Sequence, residues 1–138
     1  MDRLPLMARV LFVCLHNAGR SQMSQALFER AAGGAHRARS AGTTPADHVH
    51  PVVAEAMREV GLEVSDHKPQ RLTDELSAWP DIVVTMGCGD ECPYIPGKRY
   101  IDWDLTDPKD LPISEVRAIR DDIARRVDGL LVEIGSGA

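Results

Sequence analysis

The chain has 138 residues, of which 43% are hydrophobic and 27% are charged, and its formal net charge is −5. This length predicts one domain over residues 1–138 with a buried core, and the composition excludes wholesale disorder. The acidic balance, without a long basic run, argues against nucleic acid or an anionic membrane as a partner.

The hydropathy pattern bears on where the protein works. No apolar stretch approaches the roughly 20 residues that a transmembrane helix needs, and the first residues are too polar for a signal peptide. We therefore expect a cytoplasmic protein. In a reducing compartment, the three cysteines are better explained by chemistry than by a structural disulfide.

Hydrophobic periodicity predicts strands that alternate with helices. In chain order we predict a buried strand over 8–13, a helix over 21–32, a polar edge strand over 36–41, a helix over 51–60 that Gly61 ends, a short helix over 74–78 capped by Thr73, a buried strand over 81–86, an edge strand over 99–103 and a long amphipathic helix over 113–134. Residues 62–72 are mostly loop, with a short extended piece at the start. This order is typical of an α/β fold with a parallel sheet and right-handed crossovers.

Residues 10–21 read VLFVCLHNAGRS and combine a cysteine with an arginine six positions later. The apolar run ends on Cys14, and a loop leads to Arg20 at the start of a helical pattern. Loop and helix amides can converge on an anion, and Arg20 can add a bidentate fork. The same field stabilises a thiolate, so we interpret Cys14 as a nucleophile. The alternative is a small buried residue at a strand end.

The loop between the cysteine and the arginine consists of Leu15, His16, Asn17, Ala18 and Gly19. Ser21, directly after Arg20, can donate its hydroxyl hydrogen to the thiolate. Asn17 can hold the loop through hydrogen bonds to the backbone, although a solvated turn residue is the alternative. For His16 we favour a structural or surface role over catalysis.

Three reactive side chains follow predicted strands. Cys14, Cys88 and Asp107 each fall just beyond a strand end. Ligand sites of open α/β sheets lie at the carboxyl ends of the strands. We therefore expect these side chains to share one edge of the sheet.

These residues resemble the low-molecular-weight protein tyrosine phosphatase fold. The resemblance continues through residues 40–42 (SAG), residues 81–86 (DIVVTM) and Asp107-Pro108. It implies a three-layer α/β domain whose four-stranded parallel sheet has the order 2-1-3-4. It also implies Cys14 as the nucleophile, Arg20 as the oxyanion clamp and Asp107 as the general acid. The alternative for Asp107 is an Asp-Pro turn initiator.

Two activities share this loop within the family, namely hydrolysis of phosphate esters and thioredoxin-coupled reduction of arsenate. A phosphatase needs one thiol, whereas arsenate reduction needs two electrons, which thiols can supply. The resemblance implies that Cys88 attacks Cys14 and that Cys92 then attacks Cys88, leaving a disulfide for the reductant. The alternatives are two buried thiols or two metal ligands, but the sequence lacks a convincing second ligand pair.

Two departures from the family pattern bear on ligands. Some relatives bind potassium beside the loop through carboxylates, but Gln25 and Gln70 stand at those positions here. Neutral amides argue against that site, and Lys68 could supply the charge instead. In addition, Lys109 follows Asp107-Pro108 where phosphatases of this fold carry aromatic residues. That difference favours a small inorganic oxyanion.

The sequence thus favours a thioredoxin-coupled arsenate reductase that serves arsenic detoxification. We expect a monomer with no tightly bound cofactor and no metal, for which phosphate and sulfate compete with arsenate. One alternative is a phosphatase whose extra cysteines give redox protection, and another is a reductase that uses mycothiol or glutathione. A non-catalytic domain that binds anions or senses oxidation is the third.

Overall fold

The computed structural model describes residues 7–87, 94 and 96–136. In chain order, the elements are β1 (Arg9–Cys14), α1 (Arg20–Ala32), β2 (Arg37–Gly42), α2 (Pro51–Arg58), α3 (Asp74–Ala78), β3 (Ile82–Thr85), β4 (Arg99–Asp102) and α4 (Ile113–Ser136). In this part of the chain, none of the helices has the length and apolar character needed to cross a membrane.

The four strands form one parallel sheet in the order β2-β1-β3-β4. Cys14 at the end of β1 pairs with Gly42 at the end of β2. Thr85 of β3 pairs with Val13 on one side and Asp102 on the other. The predicted fold class and strand order are confirmed, and the carboxyl ends of all four strands meet at one edge.

Alternate residues of the central strands divide the core between the two faces of the sheet. Phe12 belongs to the larger cluster, in which α1, α2 and α4 pack against one face. Its ring meets Phe28 of α1 edge-on, with 5.7 Å between centroids. Leu11 and Val13 point to the other face, where Leu76 of α3 covers them. Burial on both faces explains why β1 reads as a continuous apolar run.

Local signals set most of the helix ends. Gly33 ends α1 in the left-handed conformation, Pro51 occupies the first turn of α2, and the Thr73 side chain caps α3, all as predicted. Helix α2 was predicted to run up to Gly61, but it ends at Arg58 and a turn then leads to Gly61. The extended piece expected at the start of residues 62–72 was also wrong, because the bridge lies at Arg71, opposite Gly42.

The C-terminal end of α2 is tied to α4 by charged side chains. Glu59 accepts hydrogen bonds from Arg117 (Nη2 to Oε2, 2.6 Å) and Arg120 (Nη1 to Oε1, 2.9 Å). Arg120 Nη1 also donates to the carbonyl of Ala56 at 2.8 Å. The hydrogen bond from Arg117 is the largest cause that lowers the pKa of Glu59 to about 2. These contacts fix α2, whose first turn borders the site described next.

Candidate active site

The loop of residues 14–20, hereafter the oxyanion loop, has its carbonyl groups turned outward. The segment between β2 and α2 holds four of them: Thr43 N donates to Cys14 O (3.2 Å), Thr44 N to Leu15 O (2.8 Å), Ala46 N to His16 O (2.9 Å) and His50 N to Ala18 O (3.0 Å). Within the described part of the chain, the amides of His16, Ala18 and Gly19 donate no hydrogen bond. Outward carbonyls leave these amides free for an anion inside the loop.

The thiol of Cys14 lies at the base of the oxyanion loop and is buried, with 2% of the residue exposed. Its Sγ accepts a hydrogen bond from Asn17 N at 3.3 Å and shares one of 2.8 Å with Ser21 Oγ. Because Ser21 Oγ also accepts from Asn17 Nδ2 at 2.7 Å, its own hydrogen is free to point at sulfur. Two hydrogen-bonding groups are therefore directed at this one sulfur.

Asn17 holds the oxyanion loop from within and is completely buried. Its Oδ1 accepts from Gln70 N at 3.0 Å and from Gln22 Nε2 at 3.2 Å. Gln22 Nε2 also donates to Asn17 O at 3.1 Å, and His67 Nδ1 lies 3.2 Å from Gln22 Oε1. Asn17 has φ +51°, a left-handed conformation in which asparagine is favoured. The solvated-turn alternative is therefore wrong for Asn17.

Arg20 projects from the first turn of α1 across the site, and its side chain is only 6% exposed. Its Nη1 donates to Leu105 O at 3.2 Å, and its Nη2 lies 3.6 Å from Asp107 Oδ2. The Nε atom is buried and has no hydrogen-bond partner among the described residues. A buried donor without a partner is costly, so this atom is available to an acceptor that enters the site.

Gly87, directly after Met86, makes room for Arg20. A Cβ atom at position 87 would lie 1.9 Å from Arg20 Nη1 and 2.8 Å from Arg20 Cζ, and its φ of +80° also disfavours other residues. No other residue type allows the guanidinium this close without a shift. The backbone that follows β3 is therefore shaped around the arginine.

Asp107 lies between the oxyanion loop and solvent, with 38% of its side chain exposed. Besides its contact with Arg20, its Oδ1 accepts a hydrogen bond from Lys109 N at 3.0 Å, so Asp107 forms the turn that the alternative interpretation predicted, while its role as general acid stays a prediction. Pro108 is packed against Gly19, where an added Cβ would come within 2.7 Å of Pro108 Cγ. The Asp107-Pro108 turn thus covers the oxyanion loop and places a carboxyl group at its entrance.

Gln25 and Gln70, which stand where some relatives bind potassium, line a separate cavity of about 290 Å³ next to Asn17. Gln25 Oε1 accepts from Ser40 Oγ at 2.6 Å, and Gln70 Nε2 donates to Ser40 O at 2.8 Å. Lys68 is among the lining residues, and none of the lining residues is a carboxylate. An amide that donates into the cavity wall and a lysine nearby do not fit a cation. No step below involves one.

The structure brings together Cys14, the loop residues, Arg20, Ser21 and Asp107, whereas Cys88 and Cys92 lie outside the described residues. The relay therefore stays a prediction.

Four residues that shape the site were not predicted from the sequence, namely Gln22, Gly87, Leu105 and His50. Gln22 follows Arg20-Ser21 directly, and a polar residue on the buried side of a helix start was the available signal. Leu105 contributes only a backbone carbonyl, for which the sequence carries no signal.

Comparisons with known proteins agree with this geometry. The family model described as low molecular weight phosphotyrosine protein phosphatase matches residues 9–137. A putative arsenate reductase of Halobacterium salinarum is 44% identical over 133 residues, covering 88% of this chain and 89% of that relative. The structure of a thioredoxin-dependent arsenate reductase of Corynebacterium glutamicum is similar, with a TM-score of 0.82 and 42% identity. That match covers 96% of this chain and 64% of the other, so this chain spans slightly less than two thirds of it.

A solved arginine phosphatase from Geobacillus stearothermophilus has a TM-score of 0.83 and 28% identity, over 94% of each chain. Solved structures named for either activity thus share the fold. The chain belongs to the low molecular weight phosphotyrosine protein phosphatase family.

Proposed function

We propose that this chain is an arsenate reductase that converts arsenate to arsenite with Cys14 as the nucleophile and thioredoxin as the external reductant. The observation that supports this most is the buried sulfur with two hydrogen-bonding neighbours, together with a buried Arg20 whose Nε has no partner among the described residues. Inward-facing amides and an arginine can neutralise a tetrahedral oxyanion. Because the net charge of the chain is −5, the attraction for an anion must come from these local donors and not from the overall charge of the protein.

The first step is nucleophilic attack by the Cys14 thiolate on arsenic. A sulfur–arsenic bond forms, and an arsenic–oxygen bond breaks. Asp107, at the loop entrance, donates its proton to the departing oxygen, which leaves as water. Arsenic is still As(V) in the thioester-like adduct, so no electrons have yet been transferred.

The second step reduces arsenic. The Cys88 thiolate attacks Cys14 Sγ, a disulfide forms between the two sulfurs, and the electron pair of the sulfur–arsenic bond returns to arsenic. Arsenic becomes As(III) and leaves as arsenite, while the two thiolates have supplied two electrons.

The third step restores the nucleophile. Cys92 attacks Cys88, the Cys14 thiolate leaves, and a Cys88–Cys92 disulfide remains. A thioredoxin dithiol then reduces that disulfide by the same exchange chemistry and is itself oxidised. One arsenate and one reduced thioredoxin thus give one arsenite, one oxidised thioredoxin and water.

The names of two relatives favour arsenate, rather than a phosphate ester, as the substrate of this chain. The proteins at 44% and 42% identity carry arsenate reductase in their names, whereas the arginine phosphatase is 28% identical. Lys109 after Asp107-Pro108 also leaves that turn without an aromatic residue to hold an aryl ester. We further propose a cytoplasmic monomer in which phosphate and sulfate compete with arsenate.

Hydrolysis of phosphate esters is the second candidate, because the same loop, arginine and carboxyl group suit both reactions. The deciding experiment follows NADPH oxidation with arsenate, thioredoxin and thioredoxin reductase, beside hydrolysis of para-nitrophenyl phosphate. We expect arsenate-dependent NADPH loss that Cys14→Ser and Cys88→Ser both abolish. Strong ester hydrolysis that survives Cys88→Ser, without arsenate-dependent NADPH loss, would refute the reductase. Absence of both turnovers would instead indicate a binding or sensing domain.

The order of the relay has its own test. After one turnover with arsenate, Cys92→Ser should accumulate a Cys14–Cys88 disulfide, which mass spectrometry of the tryptic digest detects. A free Cys14 in that variant would show that Cys88 is not the residue that attacks it.

A further inference from the structure

His50 borders the oxyanion loop although it belongs to a different segment. It precedes α2 as its N-cap residue and makes no side-chain capping bond there. Its backbone amide donates to Ala18 O at 3.0 Å. Its ring lies edge-on to that of His16, with 6.4 Å between centroids. The imidazole is therefore held at the loop without being used to cap the helix.

The ring of His50 also borders the turn that carries Asp107. A Cβ on Gly19 would lie 2.7 Å from Pro108 Cγ and 3.6 Å from His50 Cδ2. The glycine thus lets the Pro108 ring, the His50 imidazole and the oxyanion loop meet at one point. We call this meeting point the seam.

The charged and titratable groups that act on His50 come from both neighbouring segments. They are His16 of the oxyanion loop and Asp107, Lys109 and Asp110 of the turn after β4. Partial burial is the largest effect and lowers the pKa of His50 below its ordinary value of 6.5, while Asp107 opposes that shift. His50 is therefore mostly neutral at neutral pH in the free protein.

We propose that His50 is a positioning residue that sets the charge at the seam and takes up a proton when an oxyanion enters the loop. A dianion in the loop adds negative charge near the seam, and the His50 imidazole can take up a compensating proton there. Binding then stabilises the imidazolium, and the imidazolium in return strengthens binding, because linkage between two bound ligands is reciprocal. The proposal rests on oxyanion binding, one part of the proposed function.

Sulfate is the best probe, because it remains a dianion throughout the pH range used and so contributes no proton itself. The experiment records the Cε1–H signals of the histidines of the reduced protein by NMR between pH 5.0 and 8.0, without and with saturating sulfate. The signal that disappears in His50→Asn identifies His50. We expect its midpoint to lie below 6.5 without sulfate and to rise by about half a pH unit or more with sulfate.

The same linkage predicts an effect on affinity. A rise of half a pH unit corresponds to sulfate binding about threefold tighter below the midpoint of His50 than above it. We expect His50→Asn to lose that part of the pH dependence. His48→Asn is the matched control, because His48 is exposed and lies two residues earlier on the same segment; it should keep the wild-type profile.

The possible outcomes distinguish a failure of this proposal from a failure of the proposed function. If sulfate binds but leaves the His50 midpoint unchanged, His50 has only a packing role and the proposal is wrong, while the oxyanion site stands. If His50→Asn and the wild type have the same pH dependence of sulfate affinity, the proposal is also wrong. If sulfate does not bind the reduced protein at all, both the proposal and the oxyanion site fail.

Discussion

Replacing Gly87 by alanine tests whether the buried position of Arg20 is what makes the loop an oxyanion site. The new Cβ would lie 1.9 Å from Arg20 Nη1, so the guanidinium must move. An alanine at this position must also adopt the positive φ of +80°, which lowers the stability by about 1–2 kcal/mol. The variant therefore combines a backbone cost with the displacement of one side chain.

Gly61→Ala is the matched control. Gly61 has φ +81°, and an added Cβ there meets nothing within 4 Å. Both variants should lose stability in chemical denaturation, because both place an alanine in the same unfavourable backbone conformation, and Gly87→Ala should lose somewhat more because it also displaces Arg20. Only Gly87→Ala should also lose function, and the difference between the two variants isolates the contribution of Arg20.

The size of the functional loss follows from the hydrogen bonds of the guanidinium. One hydrogen bond to a charged group contributes about 1.5–3 kcal/mol, and each 1.36 kcal/mol is a factor of ten. We therefore expect Gly87→Ala to reduce kcat/KM for arsenate by about 10- to 150-fold in the thioredoxin-coupled assay, and to weaken sulfate binding in parallel. If Gly87→Ala keeps kcat/KM within twofold of Gly61→Ala, Arg20 does not act as the clamp.

Three further variants test other parts of the account. Asp107→Asn keeps an acceptor for Lys109 N but lacks the acidic proton, so kcat for arsenate should fall by about 10²–10⁴-fold. An unchanged kcat in steady-state assays would remove Asp107 from the mechanism. Because the pKa of Glu59 is lowered from 4.5 to about 2, its ion pairs stabilise the fold above pH 4.5 and are lost as the pH falls toward 2. Thermal melts from pH 5 to 2 should therefore show a steeper loss of Tm for wild type than for Glu59→Gln, and equal slopes would contradict this. Thr73→Ala removes the cap that accepts from Leu76 N at 3.1 Å and should lower the free energy of unfolding by about 1 kcal/mol in urea, whereas Thr73→Ser should restore most of it.

The fold could be predicted from the sequence because each strand and helix carries its own signal. The apolar run of β1 and the glycine after α1 are local features, and the alternation of strands and helices fixes a parallel sheet. The ends of elements were less predictable. Helix α2 stops at Arg58 rather than at Gly61, because the turn that precedes the glycine is set by backbone hydrogen bonds from residues 60–62 to residues 57–58.

Site residues that are close together in the sequence could be predicted, whereas site residues that only the fold brings together could not. Cys14, Arg20 and Ser21 lie within eight residues, so their spacing alone indicates an anion loop. His50 is 30 residues away from Arg20 and touches the loop through the seam with Pro108. Its position before Pro51 predicts a helix start and nothing more. Contacts of that kind depend on how α2 packs, which the sequence pattern does not encode locally.

The hydrogen bonds that hold Asn17 in place also could not be predicted from the sequence. Gln70 was noted for a cation site, yet its backbone amide supports Asn17 and its side chain donates to Ser40 O. Its role in the loop comes from a bridge between Gly42 and Arg71 that brings this segment beside β2. A residue type alone could not indicate that its main chain would be the functional part.

The central claim is that the protein itself supplies the two electrons that reduce arsenate. It is tested most directly by a single turnover of the fully reduced wild-type protein, freed of all external thiol and mixed with one equivalent of arsenate. We expect about one arsenite released per chain, the loss of two of the three thiols, and a Cys88–Cys92 disulfide with Cys14 free. Unchanged arsenate with all three thiols still reduced would contradict it.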